Sequence, residues 1–234
     1  MKFPSTPHLA VLDGASIRDD KVLSVAERDF FLSHEVTAEE KIDGANLGIS
    51  FRSDGVLLAQ NRGSVLSEPM TGQWKKLPEW LSERREALFD VLTDQYILFG
   101  EWCYATHSVF YNSLPDWFIG FDVFDLRSER FLCKTKRDVC LSILELHAVP
   151  CIAAGRMSLA EITGLFGRSR FGDEMAEGLY LRYDDHNWLN QRAKLVRPAF
   201  IQSIDSHWSR GPLTLNRLAE QKDRIDEVAQ RGSD

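Results

Sequence analysis

No stretch of this 234-residue chain stays apolar for the ~18 residues that a membrane-crossing helix needs. Its opening, MKFPSTPHL, also lacks the charged-then-apolar layout of a signal peptide. A cytoplasmic protein with no membrane partner is expected. Cysteine is scarce: Cys103, Cys133, Cys140 and Cys151 make no CxxC pair and no Cys/His cluster with zinc spacing. That argues against a disulfide framework or structural zinc and leaves reduced thiols as the expectation. Basic charge is in deficit too. Lys+Arg 28 against Asp+Glu 35 leaves −7, which argues against a protein that coats nucleic acid by bulk charge while leaving room for a local basic groove. Phosphate loops of the GxGxxG and GxxxxGK[ST] types are missing, as are internal repeats, low-complexity tracts and Gly/Ser- or Pro-rich linkers. What is present, 44% hydrophobic and 27% charged residues, suffices for a sizeable core, and the absence of linkers predicts one domain over residues 1–234.

Helices are read from capping chemistry. Ser24 with Glu27, Thr135 with Asp138 and Ser158 with Glu161 each pair a side-chain acceptor with an acid three residues on. Pro78 marks the start of a helix running to Leu92, and Leu215, Leu218, Ile225 and Val228 predict an amphipathic helix over Leu213 to Gln230, a C-terminal helical segment of about 211–231. The Lys134-Thr-Lys-Arg137 run reads as a solvated helix start rather than a nucleic-acid patch. Alternation around Asp54-Gly55 predicts a β-hairpin of Asn46–Arg52 with Val56–Arg62. Further strands are expected over Tyr96–Tyr104, Trp117–Phe124, Arg130–Cys133, Gly178–Tyr183 and Ala193–Val196. Hairpins without a run of βαβ units predict an α+β fold, antiparallel β-sheets flanked by helices.

The segment Glu39-Glu40-Lys41-Ile42-Asp43-Gly44-Ala45-Asn46 sets a lysine between carboxylates, directly before a turn-forming Asp-Gly. Thr37 to Glu40 also fits a capping box, which would make Lys41 a solvated first-turn residue. Such a helix would have to stop at once at Asp43-Gly44, and β-type alternation resumes at Asn46. A strand-edge or loop placement therefore suits Lys41, leaving its amine free to enter a cleft. Five segments follow in order: Arg62 in Asn-Arg-Gly, Glu101 in Phe-Gly-Glu-Trp, Phe121 in Phe-Asp-Val-Phe-Asp, Glu177 in Glu-Gly-Leu-Tyr-Leu-Arg, and Lys194 in Ala-Lys-Leu-Val-Arg. Taken singly, Phe121 reads as a core aromatic, Glu101 and Glu177 as surface carboxylates and Arg62 as a turn residue. The ordered set overturns those readings.

KIDGAN resembles the KxDGxN motif of the covalent nucleotidyltransferases that include ATP-dependent nucleic-acid ligases. With GEWCYATHSVFY and LPDWFIGFDVFD, the whole pattern resembles the RNA ligase 2-like group most closely, from Thr6-Pro-His-Leu to about His207-Trp208. The resemblance implies a nucleotidyltransferase domain, ATP-grasp-like in its nucleotide handling, with no separate OB domain. It implies that Lys41 attacks the α-phosphate of ATP and forms lysyl-AMP. Only about 0.04% of a free lysine is neutral at pH 7, so the site must lower its pKa or supply a base, and a bound metal and Lys194 are the expected sources of positive charge. By the same resemblance Lys194 and Glu177 are catalytic, and Glu40, Ile42, Asn46, Arg62, Glu101, Phe121 and Lys194 hold the nucleotide around Lys41. Within that set Glu101 and Arg62 take the ribose, Phe121 stacks on adenine, and Glu40 with its backbone neighbours faces the adenine edge. Asp43, Glu101 and Glu177 are the expected ligands of Mg2+ or Mn2+. Glu39 and Glu40 flank the amine, and their charges are expected to be held away from it.

The expected activity is ATP-dependent RNA ligation. AMP passes from Lys41 to a 5′-phosphate end, and a 3′-hydroxyl then attacks to release AMP. RNA ends are the expected partners, supplied in the 5′-phosphate form by an end-processing kinase. Joining of DNA ends, guanylyl transfer with GTP, or a non-catalytic nucleotide-binding module of the same fold are the competing readings. One departure stands out: where many ligases carry KxK, this chain has Lys194 followed by Val196, and Arg197 is the expected substitute charge. Arg192, Lys194 and Arg197, in a stretch free of acids, are expected to supply local phosphate contacts.

Overall fold

In the computed structural model, residues 1–12, 22–203 and 213–221 are described. Two antiparallel sheets dominate. The first contains β1 (Val36–Lys41), β9 (Cys151–Gly155), β10 (Gly178–Asp185) and β11 (Trp188–Val196), in the order β11-β10-β1-β9. The second runs β4-β3-β2-β5-β6-β7, from β2 (Ala45–Phe51), β3 (Leu57–Asn61), β4 (Ser64–Val65), β5 (Tyr96–Trp102), β6 (Phe118–Asp125) and β7 (Arg130–Phe131). A short β8 (His147–Ala148) joins β6 in parallel. Helices α1 (Val25–Leu32), α2 (Leu77–Leu92), α3 (Lys134–Ile143), α4 (Leu159–Thr163) and α5 (Pro198–Ser203) complete the described elements, with a 3-10 turn at Gly72–Trp74. None of the described helices is long and apolar enough to cross a membrane.

Three apolar layers hold these elements. Leu9, Phe31, Val36, Ala38, Ile162, Leu179, Leu181 and Leu195 pack α1 and α4 onto the outer face of the first sheet. Leu47, Ile49, Leu98, Phe118 and Val123 pack against Leu77, Trp80, Leu81, Leu88 and Leu92 of α2, whose spacing puts those side chains on one helical face. Between them, Ile42, Phe99, Ile119, Phe121, Phe131 and Val196 form a mixed layer that brings both sheets together. The connection Ile42–Gly44 carries the chain from β1 directly into β2 and so from one sheet to the other. Gly44 makes that close crossing possible: a Cβ there would lie 3.0 Å from both Cys103 Sγ and the Trp102 carbonyl oxygen.

The antiparallel α+β expectation matches this architecture, and so do the hairpin around Gly55, where φ is +77°, and the capping boxes at Ser24 and Ser158. Three readings need correction. Thr135 and Asp138 do not cap α3; the carboxylate of Asp184, on β10, accepts the Lys134 N–H at 2.7 Å. Arg137 is not solvated but fully buried. Leu213–Leu218 is not helical: Leu215 bridges Ala105 and Leu218 bridges Leu114, helix begins only at Ala219, and the rest of the expected segment lies outside the described residues.

Buried charge links the two sheets. Arg137, on α3, grips both oxygens of Glu39 on β1 (2.6 and 3.1 Å) and donates to the Phe121 carbonyl of β6 at 2.8 Å. Arg182, on β10, meets Asp122 Oδ1 of β6 at 3.1 Å and donates to the Leu132 carbonyl at 2.9 Å, while Tyr180 Oη donates to Asp122 Oδ2 at 2.7 Å. Arg192, on β11, reaches the same carboxylate at 3.4 Å. Glu39, Asp122, Arg137 and Arg182 have no exposed side-chain surface. Removing one member leaves its partners charged and out of reach of water. Glu39→Ala is therefore expected to cost about 3–5 kcal/mol. Thermal unfolding should show a Tm lowered by roughly 6–20 °C, whereas a loss under about 1 kcal/mol would mean the two arginines find other partners.

Candidate active site

Lys41 ends β1, and the two-residue alternation of a strand decides which of its neighbours share its face. Thr37, Glu39 and Lys41 of β1 pair with Arg182, Tyr180 and Gly178 of β10, and those in turn with Arg192, Lys194 and Val196 of β11. That face looks toward the second sheet. Gly178, opposite Lys41, has to be glycine, since a Cβ there would sit 2.2 Å from the Leu195 carbonyl oxygen. Glu177 immediately precedes it, and Glu177 Oε2 accepts a hydrogen bond from Lys41 Nζ at 2.7 Å.

From the second sheet come Asn46 on β2, Arg62 at the β3–β4 turn, Glu101 on β5 and Phe121 on β6. Asn46 and Glu101 are directly opposed. Arg62 holds a left-handed φ of +47° in a turn continued by Gly63 at +94°, and its side chain is exposed at the rim. Together these residues enclose a cleft of about 470 Å3 lined by Glu40, Lys41, Ile42, Asn46, Arg62, Glu101, Phe121 and Lys194, all eight of the residues expected around a nucleotide. Val149, Tyr180 and residues 2–6 also line it.

Those last residues escaped the sequence reading. Tyr180 lay within the quoted Glu-Gly-Leu-Tyr-Leu-Arg segment and could have been found by its alternation with Gly178. Residues 2–6 carry little signal beyond an isolated aromatic, Phe3. In the structure Phe3 meets Phe99, Phe121 and Phe131 edge-on at 5.0, 5.1 and 5.5 Å, and the Arg192 guanidinium lies 4.5 Å from its ring centre. Just beyond, Leu9 N–H donates to the Lys194 carbonyl and Lys194 N–H to the Pro7 carbonyl, so both backbone groups of Lys194 are held by the N-terminal segment.

The carboxylates beside Lys41 divide by direction. Glu39 belongs to the buried arginine network. Glu40 points to the opposite face, where Oε1 accepts from Ser169 Oγ (2.6 Å) and Oε2 from the Arg170 N–H (2.9 Å). Both charges are held away from the amine, as expected, but the Glu40 carboxylate does not face the cleft: only its backbone remains on that side. Asp43 Oδ2 accepts the N–H groups of Ser108 and Val109 at 2.7 and 2.9 Å, and its own N–H donates to Tyr111 Oη at 2.8 Å. Asp43 and Glu177 are outside the cleft lining, Glu177 standing behind the amine.

Burial alone would push the Lys41 amine down, but the charges of Glu177 and Glu101, the Glu177 hydrogen bond and Asp43 outweigh it and hold the amine above its usual pKa. The expected lowering is thus reversed in the protein alone, because three carboxylates surround one ammonium. Glu177 is itself raised, by burial first, with Lys41 pulling the other way. Burial pushes Glu101 up to about 8, against the pull of Lys41. Its Oε2 and the Oδ1 of Asn46 are buried acceptors without a hydrogen-bond partner. Two orphaned acceptors facing one cleft fit a ligand that brings two hydroxyl donors, as a ribose does.

No three His, Cys, Asp or Glu side chains among the described residues form a cluster that could hold a metal by themselves. Asp43, Glu101 and Glu177 thus do not make a protein cage, and an ion here would need phosphate and water oxygens as well. Arg192 pairs with Asp122, and Arg197 donates to the carbonyls of Ala176 and Met175; of that basic stretch, Lys194 alone lines the cleft. His107 Nε2 lies 2.9 Å from Gln73 Oε1, outside the cleft lining.

A family model described as RNA ligase matches residues 34–196. Among solved structures, a lysine-to-alanine variant of Naegleria gruberi RNA ligase with ATP and Mn superposes with a TM-score of 0.64 at 16% identity, covering 86% of this chain and 64% of that one. A lysine-to-methionine variant of that ligase with AMP and Mn gives 0.60 at 16%, covering 87% and 64%. The same ligase with PPi gives 0.58 at 18%, covering 77% and 56%. At such identities the likeness is one of fold, and the chain spans between about half and just under two thirds of these structures. No curated protein matches it.

The elevated pKa of Glu101 has a testable consequence. Between about pH 4.5 and 8 the folded chain keeps a proton at Glu101 that the unfolded chain has lost, so this group makes stability fall as pH rises through that window. Glu101→Gln removes the effect. In chelator-containing buffer its Tm, relative to the unsubstituted chain, should rise by several degrees between pH 5 and pH 8.5; a difference that does not change with pH would show Glu101 to be ionised throughout.

Proposed function

The chain belongs to the RNA ligase family, and from that premise we propose that residues 1–234 act as one adenylyltransferase domain that joins RNA ends using ATP. The observation that carries this reading is the cleft itself, in which Lys41 stands against Glu177 and shares its wall with Lys194, with Glu101, Asn46, Arg62 and Phe121 on the opposite wall. ATP and a divalent cation are the ligand classes found with RNA ligases of the same fold.

ATP is the substrate of the first step. Its ribose hydroxyls satisfy the orphaned oxygens of Glu101 and Asn46, with Arg62 at the rim, and Phe121 offers an aromatic wall to the base. Lys41 Nζ then forms a bond to the α-phosphorus while the bond to pyrophosphate breaks. The ammonium proton has to leave first, and Glu177 Oε2 is placed to take it, at 2.7 Å and with its proton affinity raised by burial. Lys194 answers the charge that builds on the phosphate oxygens. A divalent cation carried at Glu177 or Asp43 would add positive charge next to the phosphates and the amine. In the second step the phosphoramidate bond breaks as AMP passes to an RNA 5′-phosphate. In the third, a 3′-hydroxyl attacks that phosphate, a phosphodiester forms and AMP leaves. A 5′-phosphate end is the product of a polynucleotide kinase reaction, which is the partner activity this chemistry calls for.

Incubation with α-phosphate-labelled ATP and magnesium, followed by denaturation, should leave an acid-labile label on the protein that is absent from Lys41→Ala. A normal adduct in that variant would remove Lys41 as nucleophile, and no label on the unsubstituted, AMP-free chain would sink the ligase reading. Phe3 braces the Phe121 ring from the N-terminal side. Phe3→Ala is accordingly expected to raise the KM for ATP in adduct formation by about fivefold or more while leaving kcat within about twofold. A fall in kcat at constant KM would place Phe3 in the chemical step instead.

A further inference from the structure

Two carboxylates that flank Lys41 in sequence each hold a loop. Glu40 receives Ser169 Oγ and the Arg170 N–H, and Asp43 receives the N–H groups of Ser108 and Val109. The two loops then lock onto each other. Ser113 N–H donates to the Phe171 carbonyl, Phe110 N–H to Glu174 Oε2, and Asn112 Nδ2 to Asp173 Oδ2. The result is one continuous surface, anchored through the residues one before and two after Lys41.

Its side chains have a common chemistry. Arg168, Arg170 and Arg217 are exposed, and none makes an ion pair with a described residue. The Arg217 guanidinium lies 5.7 Å from the centre of the Phe110 ring. Arg168 bridges Met175, whose carbonyl receives Arg197. The acids of the same loop, Asp173 and Glu174, are occupied by the facing loop. Arg168 and Arg170 also line a groove of about 310 Å3 with Ile152, Leu165 and Phe166, backed by Glu40. Cations outside any ion pair among the described residues, half-buried aromatics and an apolar groove are therefore gathered in one place on a chain of net charge −7.

We propose that this surface docks a single-stranded stretch of RNA next to the end being joined, with Arg168, Arg170 and Arg217 on successive phosphates and a base in the adjoining groove. Arginine pairs with phosphate through a planar fork, and flat apolar walls accept any base, which makes the combination suited to a strand held without regard to sequence. An overall acidic chain has no long-range pull on RNA, so binding has to come from such a local patch. The proposal rests on the ligase reading for its substrate, and Glu40 and Asp43 tie the surface to the strand end that carries Lys41.

Binding of a short 3′-fluorescein single-stranded RNA with a 5′-phosphate, followed by anisotropy against salt without ATP, tests the surface independently of turnover. Arg168→Glu/Arg170→Glu is expected to weaken binding tenfold or more, and Arg217→Glu several-fold, with the slope of log affinity against log salt falling by about 0.7 for each phosphate that is no longer neutralised. Labelling of Lys41 by ATP should be unchanged in these variants while joining of RNA ends falls in step with affinity. Arg127→Glu/Lys136→Glu, the same charge change elsewhere, should leave binding within about twofold. Equal weakening in both double variants, or none in the first, would overturn the proposal. So would displacement by polyglutamate as effective as by RNA, which would assign the surface to an acidic protein. Failure of the unsubstituted chain to label with ATP, with arginine-dependent RNA binding intact, would instead count against the ligase chemistry and leave the docking surface standing.

Discussion

The bidentate grip of Arg137 on Glu39 is the contact on which the rest of this structure hangs. Glu39 lies two residues before Lys41 on the same face of β1, so whatever fixes one fixes the direction of the other. Through Arg137 the strand is tied to α3 and to the Phe121 carbonyl, and through Arg182 and Asp122 the first sheet is tied to the middle of β6. The lysine on one wall of the cleft and the aromatic ring on the other are thereby held in register by one charge network. Charges with no exposed surface tolerate little displacement, because each ångström gained in separation leaves a desolvated ion less compensated.

The same economy of contacts shapes the immediate surroundings of the amine. Besides Glu39, four carboxylates fall within three residues of Lys41 in sequence or come to it from elsewhere, namely Glu40, Asp43, Glu101 and Glu177, yet they do different work. Glu177 touches the amine, Glu101 faces the cleft with an unsatisfied oxygen, and Glu40 and Asp43 anchor loops. Glu177, Glu101 and Asp43 together hold the Lys41 amine above its usual pKa against the pull of burial. Under the proposed reaction, the proton affinity of Glu177, raised by burial, makes it the acceptor for the Lys41 proton at 2.7 Å.

Much of this was legible beforehand, and the misses have physical reasons. The hairpin at Gly55, the capping boxes at Ser24 and Ser158 and the helix after Pro78 are local events, written in adjacent residues and realised as read. β1 had no such local signature, since Val36–Lys41 is half charged; its strand state is imposed by β9 and β10 on either side. Arg137 read as solvated because nothing near it in sequence reveals a buried carboxylate, its partner being 98 residues away. Asp184 caps α3 from a strand 50 residues distant, which no three-residue capping pattern can show. Phe3 joined the cleft for similar reasons, through rings drawn from β5, β6 and β7.

By itself the sequence determined the family, the α+β class and eight of the residues that line the cleft, because those depend on the covalent order of short motifs and on local periodicity. Tertiary structure alone decided which way the charges point. Strand alternation sent Glu40 to the far face, to hold a backbone N–H 130 residues along the chain, and long-range packing gave Arg192 to Asp122 and Arg197 to the Ala176 carbonyl. It also set the protonation of Lys41 and Glu101, since a pKa depends on burial and on charges that meet only after the two sheets close over one another.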